Sequence, residues 1–402
     1  MKYALVILLL ALCSCGDETQ PSQPIALSFD AARGPARIDL GAVLPAVDTG
    51  APTPDATLQQ RDAKVTDAHL SADAQIDAAP DAVVDAAVDP NASVRFVVLG
   101  DTGKGNDGQR IVAEALVDAC DALGGCQFAL LLGDIIYDAG VVSVDDPQWQ
   151  TKFEEPYANV NMPFYATLGN HDYGAPAILE DFAGGIGIDP TRGQAQIDYA
   201  ATQDKFRLPA SFYRFKSGPV ELVSLNTASM FWRDLTFIED ITGFALINDE
   251  QEERLPEWQD NPLATWRIAF GHHPYLSNGR HGNAGQYDFV FIPGLPGSGT
   301  ALKEFMDTYV IGQFDAYLAG HDHNLQDLGD EDGTQLLVSG AGASARDLRP
   351  INPSIYESSA LGFIIIEATE QELNFRFIEV NEGADAQRLW VEVHTRSVRQ
   401  GQ

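Results

Sequence analysis

Five times in this chain a short apolar run stops at a glycine and is followed at once by residues able to bind a metal. These are Gly100-Asp101-Thr102-Gly103, Gly133-Asp134-Ile135-Ile136-Tyr137, Gly169-Asn170-His171-Asp172, Gly271-His272-His273-Pro274 and Gly320-His321-Asp322-His323. Carboxylate, phenol, amide and imidazole side chains ligate hard and borderline metal ions. Glycine permits a tight turn and lets backbone approach a charged centre. A single Gly-Asp turn reads as an ordinary loop, and Gly-His-Asp-His alone as a surface loop or a structural metal site. All five in order, with six of the eight histidines in or just after them, point to a dinuclear metal site.

Such a site needs elements that bring five distant turns together. Arg95 to Leu99, Phe128 to Leu132 and Pro163 to Leu168 are short apolar runs of the buried-strand type. Between the first two, Ile111, Val112, Ala115, Leu116, Ala119 and Leu123 recur at helical spacing. Further strands are expected at 212–216, 220–226, 266–271, 315–319, 335–339 and 362–368, and helices near 249–259 and 301–311. The segment 362–396 reads as β-rich. Strands alternating with helices predict an α/β fold with layered sheets, whose strand ends are where sites are assembled.

The whole chain carries 58 acidic against 25 basic residues, a formal net charge of -33. That charge repels nucleic acid, so no nucleic-acid partner is expected. It also repels phosphate esters, so phosphate chemistry here requires bound cations. Residues 1–15 place Lys2 before a short apolar run and end in Leu12-Cys13-Ser14-Cys15, the layout expected of a signal peptide whose end resembles a bacterial lipobox. Lipidation of Cys15 would attach an exported protein to a membrane at the cell envelope or surface; an ordinary cleaved signal is the alternative. Residues 16–92, rich in Ala, Asp and Pro with thirteen acids against four bases, read as a disordered linker. The catalytic domain is then 93–402. Cys120 and Cys126, close together in an exported chain, favour a disulfide tying a helix end to the next strand.

The motif set resembles the purple acid phosphatases, especially the small tartrate-resistant type, of the calcineurin-like metallophosphoesterase superfamily. The likeness covers about Ser93 to Val380 and includes Gly320 to Gln326. Other metallophosphoesterases begin with Asp-x-His; here Gly103 stands third, and Tyr137, three residues after Asp134, is what the purple enzymes use instead. The resemblance implies a layered α/β sandwich with two central mixed β-sheets flanked by helices. It implies one metal held by Asp101, Asp134, Tyr137 and His323, and a second by Asp134, Asn170, His272 and His321. Three anionic oxygens and one imidazole suit Fe(III); one carboxylate, an amide and two imidazoles suit a divalent Fe, Zn or Mn.

Phosphate monoesters would then be hydrolysed by direct attack of metal-bound hydroxide, without a phosphoenzyme. His171 and His281 are the expected proton donors or phosphate orienters, in that order. His273 is either a further contact or a packing residue. Asp172 is expected to fix the orientation of a ligand from behind. Tyr173, Tyr275 and Phe231-Trp232 read as core as readily as cleft, and Trp149 and Phe153 as a buried helix face. Specificity loops are expected around 174–205, 229–249 and 283–300. The partner is a small phosphate-ester substrate and the protein a monomer. A phosphodiesterase or nucleotidase on the same scaffold, and a tethered non-catalytic metal-binding protein, are the competing readings.

Overall fold

Every apolar run that precedes a Gly-ligand turn is a strand in the computed structural model, which describes residues 93–176, 184–287, 299–381 and 388–400. The signal segment, Cys15 and the 16–92 linker lie outside the described residues. In the amino-terminal half the strands are β1 (Val94–Leu99), β2 (Phe128–Leu132), β3 (Phe164–Thr167), β4 (Phe206–Arg207), β5 (Tyr213–Ser217) and β6 (Val220–Ser224). They continue with β7 (Trp266–Phe270), β8 (Ala316–Ala319), β9 (Leu325–Glu331), β10 (Thr334–Ser339) and β11 (Tyr356–Ser358). The last three are β12 (Gly362–Ala368), β13 (Glu372–Val380) and β14 (Trp390–Arg399).

Two seven-stranded mixed sheets result, ordered β14-β13-β12-β1-β2-β3-β4 and β11-β9-β10-β8-β7-β6-β5. The centre of each is parallel: β1 with β2, β2 with β3, and β6, β7, β8 and β10 in succession. Parallel strands are covered on both faces, which is why these runs are apolar throughout rather than alternating. β1 also pairs antiparallel with β12, so the first strand sits beside one of the last.

Helix α1 (Asp107–Ala122) links β1 to β2. Asn106 caps it by accepting the Gln109 N–H at 2.9 Å, and its buried face carries Val112, Ala115, Leu116 and Ala119. The Cys120–Cys126 disulfide, with Cα atoms 5.4 Å apart, fastens the end of this helix to the approach to β2. The predicted helices near 249–259 and 301–311 run over Phe244–Asp260 and Thr300–Tyr309. Two of the stretches expected as specificity loops contain helices, Pro190–Ala200 and Thr236–Thr242. Gly193 and the near absence of large apolar residues hide the first of these from any periodicity test.

The sheets face one another through aromatic rings. Phe96 stacks on Phe128 at 4.8 Å in one sheet; Phe128 and Tyr165 then meet Phe215 of the other at 5.7 and 4.0 Å. At the end that carries the ligand turns, hydrogen bonds also cross the seam. Gly100 donates to Ser339 at 2.7 Å, Ser339 Oγ to Val98 at 2.8 Å, and Thr167 Oγ1 to Leu225 at 2.8 Å. Elsewhere along the seam the buried Asp327 of β9 accepts two bonds from Arg396 of β14, at 2.6 and 2.7 Å. Outside the first sheet, Trp149 and the fully buried Phe153 of a π-helical turn (Gln150–Glu154) pack with Tyr157, Phe164 and Phe206. Phe153→Ala should therefore destabilise the fold by about 3–5 kcal/mol. The check is a lower urea midpoint with an unchanged denaturant slope; a midpoint that does not move would contradict this packing.

Candidate metal centre

The five ligand turns stand at the carboxyl ends of β1, β2, β3, β7 and β8, where the two sheets meet. Three of the turn residues are held in left-handed backbone conformations: Asp101 (φ 58°), Asp134 (φ 52°) and His321 (φ 69°). Non-glycine residues adopt that region at a cost of about 1–3 kcal/mol each, and persist there where surrounding structure fixes them. The conformation aims all three side chains into the seam. Gly169 shows how tight the approach is, since a Cβ there would lie 2.2 Å from Asp134 Oδ1.

Two clusters of donor atoms form. In the first, Tyr137 Oη lies 3.0 Å from Asp101 Oδ1, 2.9 Å from Asp134 Oδ2 and 3.1 Å from His323 Nε2. In the second, His272 Nε2 lies 3.0 Å from Asn170 Oδ1, 3.0 Å from His321 Nδ1 and 3.4 Å from Asp134 Oδ1. Asp134 turns one oxygen to each cluster. The sequence-predicted ligand residues Asp101, Asp134, Tyr137, Asn170, His272, His321 and His323 are thus brought together at one place.

The donor chemistry fits a pair of cations. His272 Nδ1 is 2.8 Å from the Leu132 carbonyl, an acceptor, so that nitrogen carries the proton of the neutral ring. Its Nε2 lone pair then faces an amide oxygen, a carboxylate oxygen and a second imidazole nitrogen. Lone pairs crowded together without a proton between them repel unless a cation stands at their centre. Ligand atoms about 2.0–2.2 Å from one metal and at right angles to each other are about 3 Å apart, the spacing of both clusters. The protonation tendencies agree. Burial, then Asp101 and Asp134, push the Tyr137 phenol well above its ordinary value. Burial alone would depress the His272 imidazole, but Asp134 and Asp101 outweigh it and raise it.

The remaining predicted residues separate into facing and packing groups. His171 is 18% exposed; its Nδ1 lies 2.6 Å from the Asp138 carbonyl and its Nε2 4.0 Å from Asp134 Oδ2. The His281 ring lies tilted with its centroid 4.2 Å from that of His321, and its backbone N–H donates to Asp322 Oδ1 at 2.9 Å. His273 is buried, 3.2 Å from Thr227 Oγ1 and stacked on Phe231, so it packs behind the centre. Tyr173, Tyr275 and Trp232 are likewise core, with Tyr173 accepting a bond from Asn226 at 2.7 Å. Asp172 differs from the expectation: it touches no ligand side chain. It accepts the N–H groups of Gly169, Ile135 and Ile136 at 2.8–3.2 Å, so it fixes backbone beside two ligands; burial and Asp134 push it up to about 7.

Several supports carry no signal in the sequence because they lie far from the residues they hold. Ser344 Oγ stands 2.8 Å from His323 Nδ1, and Thr227 Oγ1 accepts the His272 and His273 N–H groups at 3.1 Å. The Gly185 carbonyl accepts Asn170 Nδ2 at 2.7 Å, which leaves Oδ1 pointing at His272. Lys104 has its ammonium 5.0 Å from the Tyr137 ring centroid.

Residues 94–325 match the family model described as calcineurin-like phosphoesterase. The chain is 27% identical over 318 residues to the tartrate-resistant acid phosphatase type 5 of Oryctolagus cuniculus, spanning 72% of this chain and 88% of that protein. It is 27% identical over 307 residues to purple acid phosphatase 7 of Arabidopsis thaliana, spanning 72% and 84%. Among solved structures, GAP50, described as the anchor in the inner membrane complex of Plasmodium, aligns with a TM-score of 0.56 at 19% identity, covering 76% of this chain and 89% of that one. Purple acid phosphatase PPD1 of yellow lupin seeds aligns at 0.50 and 18%, covering 77% and 54%. At such identities these structures show the shared fold, and a fold alone does not fix an activity.

One position ties sequence to geometry. At Gly103 a Cβ would lie 1.8 Å from the Ile135 carbonyl oxygen, while the Gly103 carbonyl accepts the Tyr137 N–H at 2.9 Å. No side chain fits there, and the space is filled by the strand end that delivers Tyr137. Gly103→Ala should cost at least about 1–3 kcal/mol, the price of overpacking a rigid backbone contact. Thermal unfolding would show the loss; a variant as stable as the parent would mean the contact relaxes freely.

Proposed function

This chain belongs to the calcineurin-like phosphoesterase family, and we propose that within it the protein is a phosphomonoesterase of the purple acid phosphatase kind. Asp101, Asp134, Tyr137 and His323 would hold Fe(III), and Asp134, Asn170, His272 and His321 a divalent Fe, Zn or Mn. The observation that carries the reading is the phenol oxygen of Tyr137 at the centre of the first cluster, within 3.1 Å of two carboxylates and an imidazole. A buried phenol beside two carboxylates ionises where a highly charged cation takes the proton's place. When bound, the metal pair supplies the positive charge that draws a phosphate ester to an acidic protein, and acidifies the water that attacks phosphorus.

The chain's own groups do the rest. With Nδ1 donating to the Asp138 carbonyl, His171 presents Nε2 toward the clusters, where it can hold a proton for the departing alkoxide. His281 is set beside His321 by the bond from its N–H to Asp322, a place from which it can orient a phosphate oxygen. Asp322, standing between two ligand histidines, also accepts the Ser277 hydroxyl at 2.5 Å and so fixes the loop that carries His281.

The visible spectrum of the aerobically purified protein, read with metal analysis, is the first test. A phenolate-to-iron charge-transfer band that disappears in Tyr137→Phe is expected, and a colourless protein holding two divalent ions would sink the iron assignment. His171→Ala should lower kcat on alkyl phosphates by about 10²–10⁴-fold and far less on esters with acidic alcohols, whose alkoxides leave unaided. Activity on bis(p-nitrophenyl) phosphate far above that on p-nitrophenyl phosphate would favour a diesterase. Attachment through lipidated Cys15 is a separate proposal. Cys15→Ala should move the protein from the membrane fraction to the soluble one, and unchanged fractionation would refute the tether.

A further inference from the structure

The imidazole of His171 is gripped from several directions, and one of the surfaces that grips it is a glycine. Its Nδ1 lies 2.6 Å from the Asp138 carbonyl, and its ring sits 4.3 Å from that of Tyr137 at a tilt of 46°. Gly185 presses its backbone against the same ring. A Cβ built there would lie 2.3 Å from Cε1, 2.5 Å from Nε2 and 2.7 Å from Nδ1 of His171. Carbon atoms in ordinary contact stand about 3.5–4.0 Å apart, so even a methyl group would have to push the ring or the backbone aside by about 1 Å. A ring so enclosed keeps one orientation, with Nδ1 committed to a carbonyl and Nε2 left to meet a reacting group.

The backbone is not free to yield. Gly185 belongs to a short turn, Gly184–Ile186, whose Ile186 is buried. The Gly185 carbonyl accepts Asn170 Nδ2 at 2.7 Å. Just past the turn, the N–H groups of Gly187 and Ile188 both donate to the Gly174 carbonyl at 2.9 Å. Gly187 is itself in the left-handed region, with φ 79°. The buried Trp232, on a helical turn (Phe231–Asp234) that follows β6, donates Nε1 to the Gly187 carbonyl at 2.9 Å. Its neighbour Phe231 stacks on His273, next to His272, so the anchor reaches across from the second sheet. Residues that follow strands of both sheets thus hold this turn against His171.

Resting on the phosphatase reading, we infer that Gly185 is a positioning residue: its missing side chain sets the aim of His171, and with it the range of alcohols the protein can release. Water adds its oxygen to phosphorus, the ester P–O bond breaks toward the alcohol oxygen, and that oxygen takes the proton held on His171. The proton given up by the water restores the imidazole. A basic alkoxide needs this proton to leave, whereas the anion of an acidic alcohol leaves without it. Misaiming the donor therefore penalises esters of ordinary alcohols and spares those of acidic ones. A misplacement of about 1 Å in a reacting group can lower a rate by about 10²-fold. Trp232 acts at one remove, by keeping the turn pressed on the ring.

The test is a double-mutant cycle on the metal-loaded full chain, read with ethyl phosphate and p-nitrophenyl phosphate. Gly185→Ala should lower kcat on ethyl phosphate by about 10²-fold and on p-nitrophenyl phosphate by less than about threefold. In the His171→Ala background the ring is gone, so adding Gly185→Ala should bring less than about a twofold further loss. Metal content measured on each sample should match that of the parent. Equal losses on the two esters, or a loss as large in the His171→Ala background as in the parent, would overturn the inference and leave the phosphatase reading standing. If Gly185→Ala does not fold, Trp232→Phe, which removes only the anchoring donor, takes its place; a loss confined to ethyl phosphate is expected, and equal losses overturn the inference. His171→Ala slowing both esters equally would remove the proton donor and this inference with it. A fully loaded parent that releases phosphate from neither ester would defeat the phosphatase reading itself.

Discussion

A single buried carboxylate, Asp134, faces two groups of lone pairs at once, and much of the surrounding structure keeps it doing so. Its backbone is held in a left-handed turn, its Oδ1 accepts the His171 N–H at 2.9 Å, and Asp172 ties down the two following N–H groups. Gly169 leaves no atom in its way. Each measure costs conformational freedom or packing, and each makes sense if the carboxylate must meet a fixed pair of charges. Proteins retain strain of this kind at sites where geometry is worth more than local stability.

The strands that make this possible were readable from residue types alone. Central parallel strands are apolar on both faces, so Phe128 to Leu132 or Ala316 to Ala319 announce themselves, and the glycine that ends each run marks the turn. The seven candidate ligand residues were legible because metal ligation needs particular side chains in particular places. What escaped was whatever depends on contacts distant in sequence. Ser344 and Thr227 are unremarkable hydroxyls until the fold sets them against His323 and His272. The backbone role of Asp172 could not be told from a side-chain role, since both place an acid just after the ligands. The Pro190–Ala200 helix was invisible because its buried residues include Arg192, Gly193 and Gln196 rather than an apolar stripe.

Charge is distributed with a purpose that composition hides. A count of acids and bases suggests a surface hostile to phosphate, yet the lone pairs converge where cations can be concentrated, and Lys104 and Arg346 stand on the adjoining loops. Local field, not net charge, decides what approaches such a site.

The order in which the candidate ligands occur along the chain has a consequence for biogenesis. Asp101, Asp134, Tyr137 and Asn170 arrive with the first sheet, whereas His272, His321 and His323 come from the second. The edge of β1 stays open until β12 has been made. As the polypeptide is synthesised from its amino terminus, its early half can offer oxygen donors but no ligand imidazole, and such a half-site discriminates poorly between metals. In the proposed centre, selective loading would therefore be a late event, after the carboxyl-terminal strands have closed the seam.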